Sequence, residues 1–182
     1  MEFYFNESIV DDFKWYIEKL LTHRNPYTNL TYAEDPTIFA FESGNELYGH
    51  VRGDTNCPAS WIQDICRFVK TLAPKKLFVD GTYGINATHL EIEEVDIFSD
   101  HFYPLNITRL QHGMDMVATV NKPYFAGEYD WTGLYGGDAL PDFYEAMRSH
   151  KAWGGDAFWS LFGRNVPNCQ VRSSCIALLS PR

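Results

Sequence analysis

The sequence predicts an α/β chain built on a parallel sheet, and three observations carry that expectation. Helix-patterned and strand-patterned segments alternate five times along the 182 residues. The first strand-patterned run, Thr37 to Phe41, is apolar without alternation, as a strand covered on both faces requires. Polar and aromatic residues collect after each run: Asn45 and Glu46, Asp80 to Tyr83, His101 to Tyr103, Glu128 to Trp131, and Trp159. Strands joined through helices bring the chain back to the same end of the sheet, so the pairing is parallel and these residues share one rim.

The elements follow in order. A helix is expected over residues 8–21, where Ile9, Phe13, Ile17, Leu20 and Leu21 fall on one face and Ser8 with Asp11 makes a start like a capping box. The strand "TIFAF" then runs into the corner "ESGNE", expected to turn on Gly44. Residues 60–72 repeat the helical spacing at Ile62, Ile65, Val69 and Leu72 and stop before Pro74, and "KKLFVDGTYG" supplies the second strand. The third unit has a short helical stretch in "ATHLEIEE" ahead of the strand "VDIFSDHFYP". The fourth sets Ile107, Leu110, Met114 and Val117 in helical register before "KPYFAGEYDW", and the fifth sets "PDFYEAMRSHKAW" before "GDAFWSLFG". A barrel fits better than a doubly wound sheet, because no G-x-G-x-x-G follows any strand and chemistry-bearing residues follow all five.

Composition narrows the partners. With 45% apolar and 16% aromatic residues the chain has enough material for one core, and its net charge of -9 leaves no basic patch for nucleic acid. No apolar run approaches the roughly 18 residues of a membrane span, so no membrane partner is expected. The opening "MEFYFNESIVDDF" has neither the basic start nor the apolar block of a signal peptide. Four N-x-S/T sequons, at Asn6, Asn29, Asn86 and Asn106, nevertheless point to a secreted glycoprotein. Cys57, Cys66, Cys169 and Cys175 allow two disulfides in three connectivities. No His or Cys spacing matches a metal site, and neither metal nor cofactor is expected.

Glu46 and Glu128 stand at the outer ends of two parallel strands with two strands between them in order. Across a barrel mouth such positions face each other, and two carboxylates roughly 5 Å apart are the arrangement of a retaining glycosidase. The strand ends carry a resemblance to a known family. "FAFESGNE" with Asn45 and Glu46, "SDHFYP" with His101 and Tyr103, "FAGEYDW" with Glu128, and "AFWSLFG" with Trp159 resemble strands four, six, seven and eight of glycoside hydrolase family 5. "NPYTNLTYAEDPTIFAFESGNEL" is most similar to its fungal endo-β-1,4-mannanase branch.

The resemblance implies a (β/α)8 TIM barrel of which this chain holds about the last five β/α units. Residues 1–165 would be the partial catalytic domain and 166–182 an irregular tail. Strands one to three, and the second-strand arginine the family places near its nucleophile, have no counterpart; an upstream segment carrying both these strands and a signal peptide is the favoured explanation. The resemblance assigns Glu46 as acid/base, Glu128 as nucleophile, Asn45 as donor to the sugar 2-hydroxyl, Tyr103 as donor to the nucleophile and His101 to the same subsite. Trp159 would lie under the pyranose, with Trp131 and Tyr83 as platforms for neighbouring sugars. The implied partner is a β-linked polysaccharide or oligosaccharide, cleaved internally at β-1,4-mannosidic bonds by double displacement. An endo-β-1,4-glucanase of the same family and a non-catalytic carbohydrate-binding remnant are the alternatives.

Overall fold

The computed structural model describes residues 2–47 and 57–159. They form a five-stranded, all-parallel sheet in sequential order: β1 (Ala40–Glu42), β2 (Leu77–Asp80), β3 (Ile97–Phe102), β4 (Tyr124–Tyr129) and β5 (Trp153–Asp156). The helices are α1 (Glu2–Phe5), α2 (Glu7–Leu21), α3 (Ala59–Leu72), α4 (Ile107–Ala118) and α5 (Leu140–Arg148), with a 3-10 turn at Ala87–His89. Sequential parallel order is the ordering of a barrel wall, and a doubly wound sheet would reverse it at a switch point. None of the described helices is long and apolar enough to cross a membrane.

The core lies between the sheet and its helices. Ile62, Ile65 and Val69 of α3, Leu110, Met114 and Val117 of α4, and Phe143 and Met147 of α5 pack with Phe78, Phe98, Phe102, Tyr124, Ala126 and Tyr129 from the strands. The helical spacing read from the sequence therefore selects the buried faces of α3 and α4. In α2, Ile17 and Leu21 are buried, but Leu20 and Trp15 are exposed, and Trp15 lies beside the Lys19 ammonium. The start of α2 also differs from expectation: Asn6, not Ser8, is the N-cap, and its side chain accepts from the Ser8 amide.

Two strands are displaced from their sequence positions. β1 begins at Ala40, and Phe39 is exposed at the sheet edge. β5 is the glycine-rich Trp153–Asp156, not the aromatic "AFW" that follows it. Close packing explains the second shift: a Cβ at Gly155 would stand 2.9 Å from the Phe125 ring. Cys57 and Cys66 are buried free thiols, and Cys66 donates to the Glu94 carbonyl at 3.1 Å, so the two are not bridged to each other. Cys169, Cys175 and the tail 166–182 lie outside the described residues, as do Ser160 to Gly163 of the last quoted strand.

Candidate active site

The site is assembled from the C-terminal ends of β1, β3 and β4. After β1 the chain leaves the ladder at Ser43 and rejoins it at Leu47, whose amide donates to Gly81 at 3.0 Å and which bridges Thr82. The residues between bulge outward and present Asn45, which is exposed, and Glu46. The left-handed backbone falls on Glu46, with φ of 51°, and Gly44 is not among the positive-φ residues. A carboxylate-bearing residue in that region is uncommon and costs about 1–3 kcal/mol, a strain associated with functional positions. Gly44 is small for a different reason: a Cβ there would meet Leu47 Cδ2 at 2.7 Å. Gly81 is the tighter constraint, since its Cβ would overlap the Gly44 carbonyl oxygen at 1.9 Å.

A bulge in β4 aims the second carboxylate. Asp100 pairs with Ala126 but His101 pairs with Glu128, so Gly127 is an extra residue in the register. Tyr124, Ala126 and Tyr129 all belong to the helix-side core. Strict alternation would put Glu128 on that side too, and the inserted Gly127 turns it to the opposite face. Ser99, His101 and Tyr103 reach the same face by alternation from Phe98, Asp100 and Phe102.

There the groups converge. His101 Nδ1 lies 2.8 Å from Glu46 Oε1 and 3.8 Å from Glu128 Oε2. Tyr103 donates its hydroxyl to Glu128 Oε2 at 3.1 Å. One ligand atom from each of Glu46, His101 and Glu128 falls within 4.8 Å of the others. Burial, reinforced by the Glu128 carboxylate, pushes the Tyr103 phenol well above its ordinary range, so it remains a donor. Glu42, the last residue of β1, is exposed over part of its surface, yet protein crowds its carboxyl. Desolvation holds it above the usual range, with Asp80 and Glu128 adding to the effect and His101 opposing it.

Among the described residues these three side chains are also the group able to converge on a cation. Their geometry favours proton sharing over coordination. Ligands on a tetrahedral ion with bonds of about 2.0–2.1 Å stand roughly 3.3 Å apart, and the 2.8 Å His101–Glu46 contact is the length of a direct hydrogen bond.

The other rim residues divide. Trp159 is half exposed in a parallel bridge with Asp130, its amide donating to the Tyr129 carbonyl at 3.1 Å, which sets it beside the end of β4. Trp131 is exposed on the same strand end, with its ring 5.5 Å from Phe158. Tyr83 is half-buried under the Arg109 guanidinium at 4.3 Å, and its hydroxyl accepts from Arg109 at 3.0 Å, so α4 covers part of it. Asp80, also a strand-end polar residue, is buried and bonded to His89 at 2.7 Å; the other His89 nitrogen reaches the Cys57 carbonyl at 2.9 Å. That network ties β2 to the 3-10 turn and to the segment before α3. Sequence reasoning missed Gly127, whose position inside a strand is itself a bulge signal, and Tyr135, whose ring meets Tyr103 at 5.3 Å.

Residues 1–132 match a family described as GH family 5 beta-mannosidase-like. A rice protein named Mannan endo-1,4-beta-mannosidase 8 is 32% identical over 99% of this chain and 62% of its own length. An Arabidopsis thaliana protein named Mannan endo-1,4-beta-mannosidase 1 is 23% identical over 88% of this chain and 51% of its own. The chain thus spans between half and two thirds of these relatives. Among solved structures, the endo-1,4-beta-mannanase from Rhizomucor miehei superposes with a TM-score of 0.74 at 24% identity, over 87% of this chain and 55% of that one. That from Thermotoga petrophila superposes at 0.73 with 23% identity, over 90% and 57%. These superpositions identify the five units as part of a (β/α)8 barrel. With the family match covering most of its length, the chain belongs to glycoside hydrolase family 5.

Proposed function

We propose that the complete protein is a retaining endo-β-1,4-mannanase and that this chain carries its acid/base and its nucleophile. The single observation that supports the reading most is the convergence of Glu46 and Glu128, with their ligand atoms and that of His101 within 4.8 Å of one another. In an inverting pair the carboxyl groups stand about 6.5–9.5 Å apart to admit a water, whereas a retaining pair needs about 5–5.5 Å for direct attack. The substrate class comes from the names of the relatives, Mannan endo-1,4-beta-mannosidase among them.

In the first step Glu128 attacks the anomeric carbon while Glu46 gives its proton to the departing glycosidic oxygen, leaving a glycosyl ester on Glu128. In the second, Glu46 takes a proton from water, the resulting hydroxide attacks the anomeric carbon, and Glu128 leaves as carboxylate. The Tyr103 hydroxyl fixes Glu128 Oε2 and orients the nucleophile. His101, bonded to Glu46, holds the acid/base against its turn. The exposed Asn45 amide donates to the sugar 2-hydroxyl, and Trp159 supplies an aromatic face beneath the ring. Residues 1–165 are read as the catalytic portion, and the full-length protein as secreted.

The test is Glu46→Gln in the complete protein, which should abolish hydrolysis of mannan while Glu128→Ala removes the trappable glycosyl ester. Undiminished mannan turnover by Glu46→Gln would overturn the assignment. A reducing-sugar assay on mannan, galactomannan and β-glucans decides the polymer. Preference for glucan would favour the glucanase alternative, and binding without turnover the non-catalytic one.

A further inference from the structure

The 131–137 loop after β4 presents, besides Trp131, side chains to which no role is assigned above. Tyr135 is 54% exposed, Leu134 55% and Trp131 42%. Large apolar groups held out in solvent are ordinary when scattered, but these three share one short loop next to the nucleophile.

The loop is fastened at both ends. Asp130 is buried and accepts from the Thr132 amide at 2.8 Å, from the Thr132 hydroxyl, and from the Tyr135 amide at 2.8 Å. Burial opposes its ionisation, but these hydrogen bonds and one from the Gly133 backbone win, holding the carboxyl below its usual range. At the far end Gly137 bridges Leu105, the Asp138 amide donates to the Leu105 carbonyl at 3.0 Å, and the Ile107 amide donates to Asp138 at 2.6 Å. Gly137 has φ of 90° and leaves no room for a side chain, since a Cβ would lie 2.1 Å from the Leu105 oxygen. Tyr135 thus has its backbone fixed and its side chain exposed. Its ring packs edge-on against Tyr103 at 5.3 Å with an interplanar angle of 69°. Tyr103 in turn bonds Glu128.

We infer that Tyr135 is a sugar-binding platform that, beside Tyr103, forms an aromatic corner for the pyranose unit next to the one under attack in the β-linked chain bound across the site. The inference rests on the mannanase reading and extends it. Two aromatic rings at a steep angle offer one face and one edge, which suits a saturated ring with axial C–H groups on one side and equatorial hydroxyls at its rim. A preformed loop lowers the ordering cost of binding, and the Asp130 anchor supplies that order. The occupant is a carbohydrate chain, not a protein, because the surface is continuous with the catalytic carboxylates through Tyr103.

The experiment compares the complete protein with Tyr135→Ala and Tyr135→Phe on mannohexaose and on 4-nitrophenyl β-mannoside. A parallel measurement records retardation of the same variants, in a Glu46→Gln background, on electrophoresis through galactomannan. Tyr135→Ala should lower kcat/KM on mannohexaose by about three- to tenfold, mainly through KM, with a smaller change on the short substrate, and should weaken retardation. Tyr135→Phe should keep both. Equal losses on the two substrates would mean that Tyr135 acts only by positioning Tyr103, and would overturn the platform. An unchanged substrate ratio with unchanged retardation would overturn it as well. An active Glu46→Gln would instead sink the mannanase reading beneath it.

Discussion

Replacing Gly127 by alanine tests the bulge that aims Glu128. The new Cβ would stand 2.3 Å from Ser99 Oγ, 3.0 Å from His101 Nε2 and 3.2 Å from His101 Cδ2. An ordinary carbon–oxygen contact is about 3.4 Å, so the serine overlap is roughly 1 Å and cannot be absorbed without movement. Ser99 and His101 are both buried, and the imidazole is already tied to Glu46 at 2.8 Å, so any displacement acts directly on the Glu46 carboxylate. Overpacking of this kind costs about 1–3 kcal/mol, and a shift near 1 Å in a catalytic group costs about 10²-fold in rate. Denaturant unfolding with kcat on mannan reads both. Ser99→Gly in the same background removes the closest contact and should recover part of the stability, with a coupling of at least about 0.5 kcal/mol in the double-mutant cycle. Gly127→Ala with wild-type stability and rate, or a strictly additive cycle, would refute the reasoning.

Three further outcomes are expected. Asp80→Ala leaves His89 and the Thr82 hydroxyl buried without their acceptor and should cost about 1–3 kcal/mol in denaturant unfolding, whereas an exposed carboxylate such as Asp11 should cost under about 0.5. Asn106→Ala removes the N-cap bond to the Arg109 amide at 2.8 Å and should cost about 1 kcal/mol, with Asn106→Asp close to neutral. The hydrogen bonds to Asp130 hold its folded pKa below the ordinary aspartate value, so its contribution is present above that ordinary value and is lost as pH falls through the folded pKa. The stability advantage of wild type over Asp130→Asn, measured by urea unfolding from pH 7 downward, should stay level to about pH 5 and shrink below about pH 4.

The sequence was informative wherever one residue type answers to one physical demand. Helix faces at Ile62, Ile65 and Val69 or at Leu110, Met114 and Val117 are set by burial, and they packed as spaced. Glu46 and Glu128 were legible because parallel strands place their C-terminal ends on one rim, whatever the loops between them do. Features set by backbone crowding were less legible. The left-handed turn at Glu46 would have been assigned to Gly44 by propensity, but the demand at Gly44 is room for Leu47. β5 hides in "WGGD" because Gly155 must clear the Phe125 ring, so the expected strand, beginning at Gly155, starts two residues too late. Of the face expected for α2 only Leu20 is exposed, at the margin of the stripe that Ile17 and Leu21 bury.

The sequons show how one pattern can have two causes. Asn6, Asn86 and Asn106 each occupy a helix N-cap, and each side-chain oxygen accepts an amide hydrogen from the first turn. Asn86 goes further, accepting from both the amide and the hydroxyl of Thr88, the residue that completes its sequon. Asparagine is a preferred cap because its short side chain reaches back to the unpaired amides, and serine or threonine two residues on fits the first turn. A chain with five β/α units has many helix starts, so it generates N-x-S/T triplets for reasons of folding alone. Asn29 differs, sitting exposed in the turn between α2 and β1 with φ of 58° and no capping role. The weight that four sequons lend to a secretory route therefore falls mainly on Asn29. The family assignment does not draw on them, because it rests on the match over residues 1–132.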